Sequence, residues 1–337
     1  MIVGSPEKIP YSFQFDMDTE FAVGRIHFDT VEEYTLYANS VVGSETKGSP
    51  RPKKATFFGV LNGNDISTPL SVAHLIEPLV EFACQRSSRQ GAPPWQIKSF
   101  TRDKATKAKL LELLGGPETP ALLFTASHGM GLKSGHERQL VDQGALVCSD
   151  WFRGIQPNAD EWFAANDLDD TADVRGMIAV LFACFSAGTP KTNSFRRSDG
   201  TGRVGGDGLA PVDFVANLPR RMLSHPNGGA LAVVGHVDAA IETSFTLGLD
   251  GPTLNTEYKS LVAQLLSGMP IGHAMDGFGA RYGVLEVQLG RFREKVEFRG
   301  VPKAADVASV YATKVDARAF VIVGDPAVRP NFAQSAS

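Results

Sequence analysis

Two long apolar segments constrain the fold of this chain more than any other feature. They are residues 120–126 and residues 177–183, in which nearly every side chain is apolar. A strand with one face in water alternates polar and apolar residues, and neither segment alternates. We therefore expect both segments to form strands in the middle of a sheet that is covered on both faces.

Short apolar runs and helical patterns alternate along the rest of the chain, which predicts βαβ units and an α/β fold with a mostly parallel sheet. A helix is predicted to begin near Pro69 with Thr68 as its N-cap, because proline is favoured at the first helical position. Residues 320–323 are expected to form the strand that closes the sheet. The other predicted strands are residues 55–61, 95–100 and 230–234, and further helices are predicted around residues 110–114 and 254–266.

The first 53 residues are predicted to form a small α/β subdomain of their own. They contain a predicted strand at 21–28 and an amphipathic helix at 30–42. Residues 43–54 are polar and rich in turn formers, as linkers are. The predicted organisation is a subdomain at residues 1–53, a main domain at residues 54–330 and a tail at residues 331–337.

The charge and the cysteines exclude several classes of protein. Lys and Arg total 33 against 37 Asp and Glu, so a net charge of −4 provides no basic field to attract nucleic acid. Cys84, Cys148 and Cys184 lie far apart in sequence, which argues against disulfides and thiolate metal sites. The sequence has no signal-peptide pattern and no uninterrupted run of ~18 apolar residues. We expect a cytoplasmic protein without metal or cofactor that binds neither membranes nor nucleic acid directly.

Reactive side chains follow both apolar segments. Ser127, His128 and Gly129 follow the first segment, and Cys184 follows the second, with Gly188 four residues later. Reactive groups in open α/β sheets gather at the carboxyl ends of the strands. If the two strands are neighbours, their spacing of ~4.8 Å brings the thiol and the imidazole together.

A cysteine and a histidine in this arrangement predict acyl transfer. A cysteine with a pKa near ~8.5 is mostly protonated at neutral pH, so Cys184 needs a base, and His128 is the candidate. The backbone amides of Gly129 and Cys184 are candidate donors to the oxyanion of the tetrahedral intermediate. We infer peptide hydrolysis through an acyl-enzyme on Cys184, with His128 protonating the leaving amine.

The plainer interpretation of each residue also has weight. A cysteine at the end of an apolar strand is more often a small core residue than a nucleophile. Cys84 is predicted to be a core residue on a helix, and Cys148 lies in a predicted hairpin without a partner histidine. The position of Cys184 after a central strand is what favours the catalytic interpretation.

At these residues the sequence resembles the caspase-like cysteine peptidases, and most closely the gingipain family. The matching features are residues 127–129, residues 183–188, a terminal strand that ends in Gly324-Asp325-Pro326, and the front portion at residues 3–10 and 21–26. The resemblance implies a caspase–hemoglobinase-like three-layer sandwich with a mostly parallel central sheet. It also implies a Cys–His dyad without an obligatory third member, a protein or peptide substrate, and a pocket that selects the residue before the scissile bond.

Selectivity does not carry over from the resemblance. Several relatives that cleave after Arg or Lys have an acidic residue two positions before the nucleophile, and Phe182 occupies that position here. Asp65, after the first strand of the main domain, and Asp238, after the strand at 230–234, are the candidate acids for a basic substrate side chain. We place Phe182, Asp65 and Asp238 together as candidate substrate-binding residues. A turn former and a solvated loop charge are the competing interpretations of the two acids.

A long polar loop at residues 189–211 lies in the place of the caspase intersubunit linker. Loops of this length are usually functional or disordered. We predict a regulatory loop with candidate self-cleavage sites at Arg196, Arg197 and Arg203, and a further domain or an activating partner that controls the enzyme. The alternative is a surface loop without a regulatory role.

Two other functions stay open at this point. The first is a catalytically silent caspase-like module that serves as a protein-binding platform. The second is a nucleotide-binding α/β protein, which ranks lower because residues 61–67 offer one glycine and an acid where a phosphate loop needs several glycines. Reaction with a thiol-reactive peptide probe distinguishes the peptidase from the silent module.

Overall fold

A computed structural model describes residues 1–48, 51–89, 94–152, 154–195, 208–246, 251–330 and 332 of the 337-residue chain. The strands are β1 (Ile2–Val3), β2 (Gly24–Ile26), β3 (Lys54–Gly59), β4 (Gln96–Thr101), β5 (Leu122–Ala126), β6 (Leu146–Val147), β7 (Trp162–Phe163), β8 (Ile178–Phe182), β9 (Gly188–Thr189), β10 (Phe214–Val215), β11 (Ala232–His236) and β12 (Phe320–Gly324). The helices are α1 (Tyr11–Met17), α2 (Val31–Lys47), α3 (Ser67–Ser71), α4 (Glu77–Arg89), α5 (Lys107–Leu114), α6 (Gln139–Asp142), α7 (Asn217–Leu223), α8 (Thr256–Leu266), α9 (Ile271–Ala274), α10 (Asp276–Glu297) and α11 (Ala304–Arg318).

Eight strands form one central sheet in the order β1-β2-β12-β11-β8-β5-β3-β4. Every neighbouring pair is parallel except β11 and β12, which are antiparallel. Both predicted central strands, β5 and β8, lie in the middle of the sheet, and all their residues are buried. The predicted α/β class with a mostly parallel central sheet is confirmed.

Helices cover both faces of the sheet. The β3–α4–β4 and β8–α7–β11 connections run in opposite directions along the strand order, so right-handed crossovers place α4 and α7 on opposite faces. Helix α4 packs against α8, which contacts α10, and α10 contacts α11. Helix α7 packs against β11 and β12. Within the described residues, no helix combines the length and the apolar character that crossing a bilayer requires.

The N-terminal segment shares the central sheet. Strand β2 pairs with β12, and β1 extends the sheet by one more strand. The buried guanidinium of Arg25 holds this segment together by donating hydrogen bonds to Gln14 Oε1 and to the carbonyls of Gly4 and Ile9. The expectation that residues 320–323 close the sheet is therefore wrong, because β12 has two strands beyond it. The division at residue 53 stays a prediction.

The helical segment after β3 contains an irregularity with an identifiable cause. A π-helical turn at Val72–Ile76 separates α3 from α4, and Pro78 is the second residue of α4. Because proline has no N–H, the His74 carbonyl loses its usual helical donor. The Asn255 side chain donates to that carbonyl at 3.2 Å. The Asn255 side chain thus replaces the hydrogen bond that the proline removes.

Candidate active site

The site is built where β5 and β8 end. The two strands pair in parallel with Ala126 opposite Phe182, and the Ser127 amide donates to the Phe182 carbonyl at 3.1 Å. His128 and Cys184 each follow two residues after this paired position. Both residues therefore leave the sheet at the same level from adjacent strands, as the sequence predicts for neighbouring strands.

Gly129 and Cys184 approach each other so closely that only glycine fits. A Cβ atom added at Gly129 would lie 1.8 Å from the Cys184 carbonyl oxygen. The Gly129 amide also lies near enough to the Cys184 sulfur to lower the pKa of the thiol. The Gly129 and Cys184 amides, which the sequence predicts as oxyanion donors, therefore belong to backbone segments in direct contact.

Cys184 is half-buried, and its surroundings favour the neutral thiol. The thiol donates to the Ala240 carbonyl at 3.6 Å, in the loop that follows β11. Burial raises the pKa of the Cys184 thiol and outweighs the backbone of Ala240 and Gly129, which lowers it, and the carboxylates of Asp238 and Asp316 raise it further. A base is therefore required to form the thiolate.

His128 has a carboxylate partner. Its Nε2 lies 2.9 Å from Oδ2 of Asp65, in the loop that follows β3. Oδ2 of Asp65 also accepts hydrogen bonds from the backbone amide and the hydroxyl of Thr68, at 2.9 and 2.8 Å. In the part of the chain that the structure describes, no hydrogen bond joins the Cys184 thiol to the His128 ring. With Nε2 facing Asp65, the Nδ1 atom of His128 is the nitrogen left for chemistry.

Asp65 is held as a carboxylate although its side chain is 0% exposed. Burial raises the pKa of the Asp65 carboxyl, yet the hydrogen bonds from Thr68 and the nearby His128 ring outweigh burial and hold it below its usual range. The helix begins at Ser67, and Asp65 rather than Thr68 supplies the side-chain acceptor at its N-terminus. The expected Thr68 N-cap is corrected accordingly.

Unusual backbone conformations concentrate at this edge of the sheet. Asn64, Phe185 and Asp238 have φ angles of 58°, 60° and 82°, and they lie in the loops after β3, β8 and β11. Non-glycine residues rarely adopt the left-handed region, and where they do, the strain often marks a functional site. Phe185 directly follows Cys184, so the candidate nucleophile lies next to one of these positions.

The other two candidate substrate residues are buried. Asp238 accepts hydrogen bonds from the Ser194 and Ala239 amides at 2.9 and 2.8 Å, and burial raises the pKa of its carboxyl. Phe182 is buried and packs against the rings of Phe245, Tyr258 and Phe320. The substrate-binding roles of Asp65, Asp238 and Phe182 stay predictions, and each side chain already has partners within the protein.

The remaining sequence candidates fall elsewhere. Cys148 is buried, and burial raises the pKa of its thiol above the usual range. Cys84 is exposed, so its predicted core position is wrong. The buried stripe of α4 includes Leu79 and Ala83, and Cys84 is turned about 100° away from Ala83 around the helix axis. The candidate cleavage sites Arg196, Arg197 and Arg203 lie outside the described residues.

Sequence reasoning missed two residues that shape the histidine surroundings. The Trp151 ring stands edge-on to the His128 ring, with centroids 5.9 Å apart. The Asn62 side chain donates to the carbonyls of Cys148 and Trp151 at 2.8 and 2.9 Å, which ties the loop after β3 to the loop that carries Trp151. These loops are 86 or more residues apart in sequence, so no local pattern predicts the contact.

Comparison with known proteins finds no match by sequence but does find similar solved structures. No protein-family model matches the chain, and no curated protein matches it. A solved protease structure aligns with 92% of this chain and 56% of its own, at 13% identity and a TM-score of 0.47. The Saccharomyces cerevisiae separase–securin complex aligns over 91% of this chain and 14% of its own, at 11% identity and a TM-score of 0.39. The chain thus spans about half of the first protein and a small part of the second.

Proposed function

We propose that this chain is a caspase-like cysteine endopeptidase in which Cys184 is the nucleophile and His128 the general acid and base. The observation that carries the proposal is the delivery of a thiol and an imidazole to one level of the sheet edge by two adjacent, parallel, central strands. The contact between Gly129 and Cys184 supports it, because the backbone segments that carry the two candidate oxyanion donors lie directly against each other.

The reaction proceeds in two balanced steps. The Cys184 thiol gives its proton to His128 Nδ1, and its sulfur forms a bond to the scissile carbonyl carbon. The C–N bond then breaks, and protonated His128 gives its proton to the departing amine. Water, deprotonated by His128, attacks the thioester carbon and breaks the C–S bond. The carboxylic acid leaves, and the proton held by His128 restores the thiol.

Asp65 acts in this proposal as a positioning residue. Its carboxylate accepts a hydrogen bond from the Nε2–H of His128, which fixes the tautomer that has Nδ1 free to act as base. The ionised Asp65 also stabilises the imidazolium that forms when Cys184 gives up its proton. This extends the dyad that the family resemblance implies by one residue.

A catalytically silent binding module is the second candidate, and two observations bear on the choice. The environment of Cys184 raises the pKa of its thiol. Within the described residues, no hydrogen bond links that thiol to His128. In the peptidase proposal these observations describe a resting state with a neutral thiol, from which substrate or an activating partner brings the dyad together.

Regulation through the loop at residues 189–211 belongs to the same proposal. The Asp238 carboxyl accepts a hydrogen bond from the Ser194 amide near the start of this loop. Asp238 lies two residues before Ala240, whose carbonyl accepts a hydrogen bond from the Cys184 thiol. Cleavage at Arg196, Arg197 or Arg203 would release the downstream half of the loop from this anchor. Incubated protein is expected to yield two fragments cut at one of these arginines, whereas an intact loop in fully active enzyme would rule this mode of regulation out.

The test is digestion of a diverse peptide library, read by mass spectrometry. Wild-type protein is expected to cleave with a defined preference before the cut, and Cys184→Ala is expected to lose cleavage. Cys84→Ala is the matched control, because Cys84 is exposed on α4 and outside the site. Equal cleavage by wild type and Cys184→Ala would exclude the cysteine mechanism, and cleavage by neither protein would favour the silent module.

A further inference from the structure

Three exposed apolar side chains lie on the two loops whose residues Asp65 and Trp151 contact the His128 ring. Ile66 is 60% exposed, Phe152 55% and Ile155 67%. A single exposed apolar residue is ordinary on a protein surface, whereas a group beside a reactive edge marks a binding surface. We name Ile66, Phe152 and Ile155 the apolar lip.

Two members of the lip are linked to the loop that holds His128 in place. Ile66 directly follows Asp65, whose carboxylate contacts the His128 ring. The Phe152 ring lies over Gly63, where an added Cβ would come within 2.3 Å of two ring carbons. Gly63 and Phe152 also form a parallel β-bridge. The lip and the partner of His128 therefore belong to one connected structure.

Trp151 anchors the rest of the lip. Its indole N–H donates a hydrogen bond to the Ile155 carbonyl at 2.7 Å, and its backbone carbonyl accepts one from the Asn62 side chain. Its ring packs against a buried cluster that includes Met130 and Trp162. Since the side chains that hold the lip are themselves packed and hydrogen-bonded, the surface is preformed and costs little ordering entropy on binding.

The chemistry of the leaving group decides which part of a substrate meets the lip. A general acid must come within hydrogen-bond reach of the nitrogen that it protonates. His128 protonates the nitrogen of the residue that follows the scissile bond, so that residue must lie on the His128 side of the edge. Cys184 retains the other half of the substrate as the thioester, on the side of β8 and β11.

We propose that the apolar lip binds the substrate residue immediately after the scissile bond and selects a large aliphatic or aromatic side chain there. This inference rests on the proposed peptidase function and adds the chemical class of the leaving segment. It assigns selection of the residue after the scissile bond to the surface around His128, whereas the family resemblance implies a pocket that selects the residue before the bond.

The test uses peptide pairs that differ only in the residue after the cut, Leu in one and Ser in the other, within a sequence that the protein cleaves. The measured quantity is the ratio of kcat/KM for the two peptides. Wild type is expected to prefer Leu about tenfold, as open apolar subsites do. Ile66→Ser and Phe152→Ser are each expected to lower the ratio about threefold or more. Val287→Ser is the matched control, because Val287 is 59% exposed on α10, outside both loops.

Each ratio is internal to one protein, so a variant that is partly unfolded still gives a valid result. A wild-type ratio near one, or a ratio that neither lip variant changes, would overturn the inference and leave the peptidase intact. Failure of the wild-type protein to cleave any peptide would overturn the proposed function, and the inference with it. The two failures are therefore distinguishable.

Discussion

The two sides of the sheet edge that carries His128 and Cys184 have opposite electrostatics. On the histidine side, formed by the loops after β3 and β5, the Asp65 carboxyl has a pKa below its usual range because side-chain and backbone donors surround it. On the cysteine side, formed by the loops after β8 and β11, burial raises the pKa values of Asp238 and Cys184. One side is arranged to hold a charge, and the other to suppress charge.

This difference separates two acids that the sequence presents alike. Asp65 and Asp238 both follow a parallel strand, and both side chains are buried. Asp65 has a titratable partner, His128, whereas Asp238 accepts two backbone amides that define a loop. In the proposed mechanism, the histidine side positions the base, and the cysteine side sets the shape of the loops around the thiol.

The largest effect is expected where the two sides meet. Gly129→Ala would place a methyl group against the Cys184 carbonyl, so the two loops must separate. We expect a loss of about 3 kcal/mol in the free energy of unfolding and about 10²-fold or more in kcat/KM. Gly131→Ala is the control, because its added Cβ would meet only the Phe185 ring at 3.6 Å. Similar results for both variants, from urea unfolding and peptide kinetics, would mean that the sides are not coupled at Gly129.

The two carboxylates are expected to differ in their effect on catalysis. Asp65→Asn leaves His128 without an ionised partner and is expected to lower kcat about 10²-fold or more. Asp238→Asn retains most of the loop contacts and is expected to change kcat/KM less than about threefold. Steady-state kinetics on one peptide measures both. A large rise in KM for basic peptides in Asp238→Asn would instead identify Asp238 as the substrate-binding acid.

The pH dependence of stability is expected to have opposite signs on the two sides. The pKa of Asp65 is lowered by folding, so its stabilisation is fully present above the unfolded value of ~3.9 and is lost as the pH falls through the folded value. The pKa of Asp238 is raised, so its contribution is fully present below ~3.9 and is lost as the pH rises through the folded value.

Unfolding free energies at pH 7 and pH 3 test this contrast. The cost of Asp65→Asn is expected to shrink by about 1 kcal/mol on going to pH 3, and the cost of Asp238→Asn to grow by a similar amount. The same sign for both variants would remove the electrostatic distinction between the two sides.

A modest effect is expected at Thr68, whose hydroxyl supports the Asp65 carboxylate. The Thr68 hydroxyl donates a hydrogen bond to Asp65 and accepts one from the backbone N–H of Asn62 at 3.0 Å. Thr68→Val keeps the shape and the backbone donor but removes the hydroxyl and its two hydrogen bonds, so we expect about 1 to 2 kcal/mol of destabilisation and a two- to fivefold loss in kcat. Thr68→Ser should restore both quantities, and a Ser variant no better than Val would assign the effect to packing.

Much of the fold is predictable because its strongest signals are local. The apolar segments at 120–126 and 177–183 form β5 and β8, and each polar residue that follows them reaches the edge as expected. Strands β1 and β2 have two and three residues, which is too short to show an alternation of polar and apolar side chains. The local sequence therefore does not predict that they pair with the main sheet. Their place is set by contacts such as those of Arg25 across the N-terminal segment.

The site is less predictable, because its contacts join distant loops. Position after a strand predicts that Asp65 lies at the same edge of the sheet as His128, but the contact between them spans 63 residues and depends on β3 pairing beside β5. Phe182 shows the same limit. Its side chain enters an aromatic cluster with residues from three later segments, so its position before Cys184 carries no information about a pocket.

The most direct test of the central claim is the mass of the protein during turnover of a peptide ester. Acid quenching in the first turnovers is expected to trap an adduct with the mass of the acyl group, and fragmentation should locate it on Cys184. His128→Ala is expected to form this adduct far more slowly. Turnover without an adduct on Cys184, or with the acyl group on Cys84 or Cys148, would contradict the assignment of Cys184 as the nucleophile.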